Sequence, residues 1–218
     1  DGSKVWDIRT INSFIKNQNL LSLAISKNGD VVFINSAGDL IKANAPNGNI
    51  SWSLNISGSM YEHATDFFKS SNIVILNEDV IFSAGSSFFS YNLNSGKLNW
   101  IQEVTAVDTP IINGKNIFSI TGNGYFIIMN KETGEIISSS NILKLLKKKK
   151  QKTKISGYVM GSGKIYSVTA NGFLIVSSAI SGKPEYFKKI GDPIISSPII
   201  TNGSLYLLTE NSKIFGLN

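Results

Sequence analysis

A glycine-centred corner recurs five times along the chain, and this repetition constrains the fold more than any other feature. One copy is NLNSGKLNW at 92–100, where a tryptophan follows the Ser-Gly turn by four residues. The corner glycines are Gly2, Gly48, Gly96, Gly134 and Gly182, spaced by 46, 48, 38 and 48 residues. Periods of this length are typical of stacked repeats or propeller blades, because each unit needs neighbours to bury its apolar surface.

Each period contains two short apolar segments that read as β-strands. The first is VVFI at 31–34, VIFS at 80–83, IFSI at 117–120, IYSV at 165–168 and LYLL at 205–208. The second is LIKA at 40–43, FFSY at 88–91, FIIM at 126–129, LIVS at 174–177 and KIFG at 213–216. Segments rich in Ile, Val, Phe and Tyr suit a pleated, half-buried surface. Six Asn-Gly dipeptides adopt the positive φ angles of two-residue hairpins readily, so we predict antiparallel meanders.

The meanders predict an all-β fold, a β-propeller of four-stranded antiparallel blades. One such sheet of about 40–50 residues cannot bury both faces alone, whereas radial packing covers the faces and leaves only short edges. We expect residues 1–9 to complete the last blade. The single domain then has about five blades, at residues 10–55, 60–104, 107–140, 155–190 and 193–218. Large rings at one position of the repeat are predicted to fill the space between neighbouring blades: Trp6, Trp52, Trp100 and Tyr186.

The net charge of +6 comes from one segment, which we call the basic loop. Residues 141–154, NILKLLKKKKQKTK, carry seven lysines and no acid, so subtracting seven from +6 leaves the rest at −1. Its apolar first half predicts a short helical turn. Its lysines predict either a solvated loop or attraction to an anionic surface, lipid head groups or an acidic partner. Nucleic acid is disfavoured, because stacking aromatics are missing from the segment. The lysines are Lys144, Lys147, Lys148, Lys149, Lys150, Lys152 and Lys154.

The sequence offers little catalytic chemistry. Cysteine is absent and His63 is the one histidine, so a zinc site with the usual ligand count cannot be assembled. No nucleophile elbow, P-loop or dinucleotide fingerprint is present. We therefore predict no catalytic, metal-binding or cofactor-binding residues and no enzymatic activity.

These features resemble the PQQ-type propeller repeat, in which a strand, a glycine turn and a second strand lead to x-T-G-x-x-x-W. ETGEI at 132–136 keeps the Thr-Gly, and SGKLNW at 95–100 keeps the tryptophan. Within that superfamily, residues 171–218 resemble the closing pattern of the BamB family, lipoproteins of the outer-membrane β-barrel assembly machinery. There, a G-x-L strand and a glycine corner lead to S-x-P, an apolar run, N-G and two strands. The layout of all five repeats agrees with this resemblance.

The resemblance implies a periplasmic scaffold, anchored at the inner face of the outer membrane in the full-length protein. Such a scaffold would bind the POTRA domains of the barrel insertase and aid the insertion of outer-membrane proteins. In the family the contacts lie on loops that join consecutive blades at one end. By repeat position these contacts correspond to Lys16, Asn17, Gln18, Asn19, Asp66, Phe67, Phe68 and Lys69. The basic loop is a connection of the same class, so we expect it at the same end, and we expect deletion of 144–154 to leave folding intact.

Two alternative functions stay open. The PQQ-dependent quinoprotein oxidoreductases share the repeat and hold a quinone and calcium in the axial channel with acidic, Asn and Arg side chains. Here the only arginine is Arg9, which disfavours that class. A generic interaction propeller with another partner is the second alternative.

The chain also departs from the family pattern. The family has eight blades and a lipidated N-terminal cysteine, whereas about five repeats and no cysteine occur here. We expect either a C-terminal portion of such a ring or a smaller closed ring in which residues 4–9 form the outer strand of the last blade.

Overall fold

The computed structural model describes residues 1–10, 22–56, 69–106, 108–146 and 153–218. These residues divide into two compact units, Asp1–Pro110 and Ile111–Asn218. Apart from one short 3-10 helix, the regular structure in the described ranges is entirely β, in antiparallel sheets whose strands lie side by side in chain order. The predicted all-β class and the predicted meanders are therefore confirmed.

The first unit contains two four-stranded sheets. The first sheet consists of β1 (Leu23–Ile25), β2 (Asp30–Ile34), β3 (Asp39–Asn44) and β4 (Ile50–Asn55). The second consists of β5 (Val74–Leu76), β6 (Asp79–Ala84), β7 (Ser87–Asn92) and β8 (Leu98–Gln102). Apolar residues of both sheets form one buried cluster, in which Val32 and Leu40 meet Phe82 and Phe89.

The second unit contains three sheets. The third sheet consists of β9 (Ile111–Asn113), β10 (Asn116–Ile120), β11 (Tyr125–Asn130) and β12 (Ile136–Asn141). The fourth consists of β13 (Ile155–Gly161), β14 (Lys164–Thr169), β15 (Phe173–Ser178) and β16 (Pro184–Lys189). The fifth has three strands, β17 (Ile199–Thr201), β18 (Ser204–Leu208) and β19 (Ile214–Leu217). The 3-10 helix spans Ile142–Leu145, between β12 and β13.

The fourth sheet shows why these strands read as continuous apolar runs. On β15, Phe173 and Ile175 belong to the cluster shared with the third sheet. Leu174 and Val176 belong to the cluster shared with the fifth sheet. Because alternate side chains of a strand point to opposite faces, a strand between two neighbouring sheets is apolar on both. Full burial of each such side chain contributes about 1.5–3 kcal/mol.

Residues 1–10 contain no strand, and the fifth sheet has three strands within the second unit. The indole Nε1 of Trp6 donates a hydrogen bond to the carbonyl of Ala45, 2.6 Å away, which holds this segment against the corner of the first sheet. Pairing of residues 4–9 with the last blade would join the two units, and it stays a prediction.

A β-bulge recurs at the same place in the four complete sheets. The last two strands of each sheet shift register by one residue, leaving Ser51, Asn99, Ile137 or Glu185 unpaired. The next residue is Trp52, Trp100, Ser138 or Tyr186, the repeat position assigned to blade packing. A bulge re-aims the side chain beside it, so this irregularity sets the direction of the packing residue.

Candidate functional site

The two ends of each sheet carry different turns and connections, and we name them the corner end and the loop end. The corner end holds the turn between the first two strands and the glycine corner between the last two. The loop end holds the turn between the second and third strands and the connection to the next sheet. In the second unit the described part of the loop end comprises turns 121–124, 170–172 and 209–213 with connecting residues 142–146, 153–154 and 190–198.

Lys69 lies at the loop end of the second sheet. Its carbonyl accepts a hydrogen bond from the Gly85 amide at 3.2 Å, and its neighbour Ser70 forms an isolated bridge with Ala84. Gly85 lies in the turn between β6 and β7, and Ala84 is the last residue of β6. The Lys69 side chain is exposed. The other predicted partner contacts, Lys16–Asn19 and Asp66–Phe68, lie outside the described residues.

The two described lysines of the basic loop also lie at a loop end. The Ile142 amide donates to the Gly124 carbonyl at 2.9 Å, which places the 3-10 helix bearing Lys144 against the turn of the third sheet. The Ala170 amide donates to the Lys154 carbonyl at 2.9 Å, beside the corresponding turn of the fourth sheet. Both lysine side chains are exposed. Lys147–Lys150 and Lys152 lie outside the described residues.

The helical turn predicted at the start of the basic loop is confirmed, and it is more deeply buried than a surface loop. Asn141 caps it, since its side-chain oxygen accepts a hydrogen bond from the Leu143 amide at 3.0 Å. Ile142, Leu143 and Leu146 are 0%, 4% and 2% exposed and belong to the cluster between the third and fourth sheets. The expected tolerance to deletion of 144–154 stays a prediction, and the burial of Leu146 argues against it, because that deletion removes this side chain.

The predicted packing residues meet the glycine corners of the neighbouring sheet. Trp52 donates from Nε1 to the Leu93 carbonyl at 2.9 Å and covers Gly96. Trp6 covers Gly48 in the same way. At the equivalent position in the second unit, the hydroxyl of Ser138 donates to the Ser181 carbonyl at 3.0 Å. A hydrogen bond and a ring contact thus join neighbouring repeats, which gives these residues an architectural role.

The remaining two packing residues differ from each other. Trp100 is 7% exposed and stacks on Phe88 with ring centroids 6.3 Å apart. Tyr186 is 50% exposed and borders an open groove of about 430 Å³ on the corner half of the fourth and fifth sheets. Beside that groove, a hydrogen bond to Glu185 and the charge of its carboxylate raise the pKa of Lys164. The Lys164 Nζ–Glu185 Oε2 distance is 2.7 Å.

Two lysines at the loop end of the second unit interact with other groups of the chain, one through an ion pair and one through a hydrogen bond. Lys213 pairs with Asp192 at 3.0 Å, and the hydrogen bond from Lys213 holds the pKa of Asp192 below its usual value. Lys189 donates to the Gly191 carbonyl at 2.8 Å, with its Nζ 4.8 Å from the centroid of the Phe173 ring. Lys144 and Lys154 stay exposed beside them.

Within the described ranges, no group of three or more His, Asp or Glu side chains is arranged to hold a metal ion. His63 lies outside those ranges. The helical structure that is described falls short of the length and apolarity required to span a bilayer.

Sequence comparison gives one family match. The family described as outer membrane protein assembly factor BamB matches residues 1–140. The closing stretch 171–218, which carries a resemblance of its own in the sequence, lies beyond that range. No curated protein sequence matches the chain significantly.

Structural comparison shows the β-propeller fold. The crystal structure of BamB from Moraxella catarrhalis matches with a TM-score of 0.68 and 14% identity, over 94% of this chain and 60% of that one. The Cps50 (Swd1) β-propeller domain of Myceliophteria thermophila matches with a TM-score of 0.66 and 11% identity, over 93% and 67%. The computationally designed Ika4 protein matches with a TM-score of 0.55 and 12% identity, over 73% and 94%. The chain therefore spans 60% of the length of the BamB structure.

Proposed function

This chain belongs to the family of the outer membrane protein assembly factor BamB, and from this we propose that it is a non-catalytic scaffold of outer-membrane protein assembly. In this proposal it works in the periplasm, held at the inner face of the outer membrane, and binds the POTRA domains of the barrel insertase. The observation that carries the proposal is the family match over residues 1–140, which includes both predicted contact stretches.

The position of Lys69 supports a contact surface at the loop end. The Lys69 side chain is exposed there, whereas the corner end is built from short turns closed by their own hydrogen bonds. At the Asn92 corner, for example, the Gly96 amide donates to the Asn92 carbonyl at 2.8 Å, and the Asn92 side chain accepts from the amides of Asn94 and Ser95. Loops on a rigid scaffold are the usual location of binding residues.

The test is binding of the purified POTRA region to the chain, measured by calorimetry. The variant is Lys69→Glu and the matched control is Lys97→Glu, an exposed lysine at the corner end of the same sheet. We expect Lys69→Glu to weaken binding about tenfold, since reversing a contact charge costs about 1–2 kcal/mol, and Lys97→Glu to leave it unchanged. Absence of any POTRA binding by the unmodified chain would contradict the proposed function.

A further inference from the structure

The two units of the chain carry opposite charge. Residues 1–110 hold seven basic and ten acidic side chains, a net charge of −3, whereas residues 111–218 hold fourteen lysines and five acids, a net charge of +9. A unit with this net charge attracts anionic partners.

Within the second unit the two ends differ as well. The corner end is nearly balanced, with Lys115, Lys131, Lys164 and Lys183 against Glu132, Glu135 and Glu185. The loop end has Lys144, Lys154, Lys188, Lys189 and Lys213 against Asp192 and Glu210. Five further lysines stand in the sequence between Leu146 and Thr153, and they lie outside the described residues. Among the described residues of this unit, the loop end is therefore the more positive of the two ends.

Packing fixes both described borders of the basic loop at that end. The Leu146 amide donates to the Leu143 carbonyl at 2.9 Å, and the Leu146 side chain is 2% exposed. On the other side, Ile155 begins β13 and is 9% exposed. Lys144 and Lys154 are thus held in place by buried neighbours while their own side chains face solvent.

Exposed apolar groups accompany these lysines. Tyr125 follows the turn 121–124 and is 38% exposed, and Ile195 follows the bridge between Ile194 and Thr209 and is 60% exposed. An aromatic ring with a polar tip and an aliphatic side chain next to lysines suit the boundary between head groups and acyl chains.

The use of lysine and not arginine distinguishes the two candidate partners, an anionic bilayer and an acidic protein. Acidic proteins and phosphate groups at fixed positions are recognised best by the planar fork of arginine, whereas a charged bilayer attracts point charges without fixed geometry. The chain has twenty lysines and only Arg9 as arginine, which lies in the first unit. We propose that the loop end of residues 111–218 docks on a bilayer surface with anionic head groups. This inference rests on residues of the second unit, whereas the proposed POTRA contact rests on residues of the first, and its test does not use POTRA domains.

The experiment is co-sedimentation of the full chain with vesicles of phosphatidylglycerol mixed with phosphatidylcholine, against phosphatidylcholine alone. We expect binding to the mixed vesicles that falls as salt rises, and none to phosphatidylcholine. The variant Lys144→Gln/Lys154→Gln should lower the partition coefficient roughly 10- to 30-fold. The control Lys115→Gln/Lys183→Gln removes two exposed lysines from the corner end and should leave it unchanged.

A second pair tests the apolar contribution. Ile195→Ser should lower vesicle partitioning about three- to tenfold, because its exposed side chain leaves water on docking. The control is Ile180→Ser, which alters a residue 91% exposed at the corner end. Equal loss in both lysine variants, or equal binding to both vesicle types, would overturn the proposal. Binding of polyglutamate without binding of vesicles would overturn it in favour of an acidic protein partner.

Discussion

Position 96 requires glycine for two separate reasons. Its φ is +69°, where a side chain strains the backbone, and an added Cβ would lie 3.1 Å from Cδ2 of Trp52. Gly114 shares the first reason only, since its φ is +60° and nothing lies within 4 Å of its Cβ position. The corner therefore needs glycine both for its turn and for the ring packed on it.

This difference predicts the effect of alanine at the two positions. We expect Gly114→Ala to lower the free energy of unfolding by about 1 kcal/mol, the cost of the left-handed backbone alone. Gly96→Ala should lower it by about 2–3 kcal/mol, because the indole must also move. Urea denaturation followed by circular dichroism measures both, and equal losses would show that Trp52 does not press on the corner.

A buried ion pair gives the second prediction at this scale. Lys42 Nζ lies 3.1 Å from Asp30 Oδ2, with the two side chains 9% and 17% exposed. Lys42→Met should lower the free energy of unfolding by about 3–5 kcal/mol, because the Asp30 carboxylate loses its counter-charge in a mostly buried site. Lys42→Met/Asp30→Asn should recover most of that loss. A double variant as unstable as the single one would contradict this explanation.

At the scale of elements, the basic loop begins with a buried turn. Its first five residues after Asn141 form a capped turn whose apolar side chains fill the gap between two sheets, and its lysine-rich remainder begins only after Leu146. The apolar residues Ile142, Leu143, Leu145 and Leu146 predicted the turn. Its burial depends on a long-range contact, since Leu143 lies against Gly124 of the third sheet, and no local pattern reveals such a contact.

The buried turn and the lysine-rich residues that follow it in the sequence predict opposite outcomes for two changes in the same loop. Replacing 147–152 with six Gly and Ser residues should leave the free energy of unfolding within about 0.5 kcal/mol of the unmodified chain. Leu146→Ala should lower it by about 2–5 kcal/mol, through lost burial and the cavity left behind. Thermal and urea unfolding report both, and a stable Leu146→Ala variant would show that the turn does not support the two sheets.

The position of the recurrent bulge cannot be predicted from the sequence repeats. The strands, their order and the glycine corners follow from the residue types and their spacing. The unpaired residues Ser51, Asn99, Ile137 and Glu185 share no chemistry, so nothing in the sequence locates the register shift. It arises from sheet geometry, which must turn the next side chain toward the neighbouring corner.

At the scale of the whole molecule, the fold was more predictable than the site. Periodicity and turn chemistry are local signals repeated five times, so they identify the propeller fold without knowledge of any long-range contact. The residues of a contact surface do not recur from repeat to repeat. Its predicted members were assigned by repeat position, and of these the structure describes Lys69, which lies beside the turn between β6 and β7.

The shared repeat allows a direct test against the quinoprotein alternative. A ligand specific for the folded state at 100 times its dissociation constant stabilises by about 2.7 kcal/mol, which raises the melting temperature of a chain of this size by several degrees. We expect PQQ with calcium to cause no such shift, because the chain has a single arginine and the described residues hold no cluster of three acidic or histidine side chains. The same assay on a quinoprotein dehydrogenase serves as the positive control. A saturable rise that requires both PQQ and calcium would assign this chain a cofactor and contradict the scaffold proposal, whereas a rise with calcium alone would indicate an ion site on the fold.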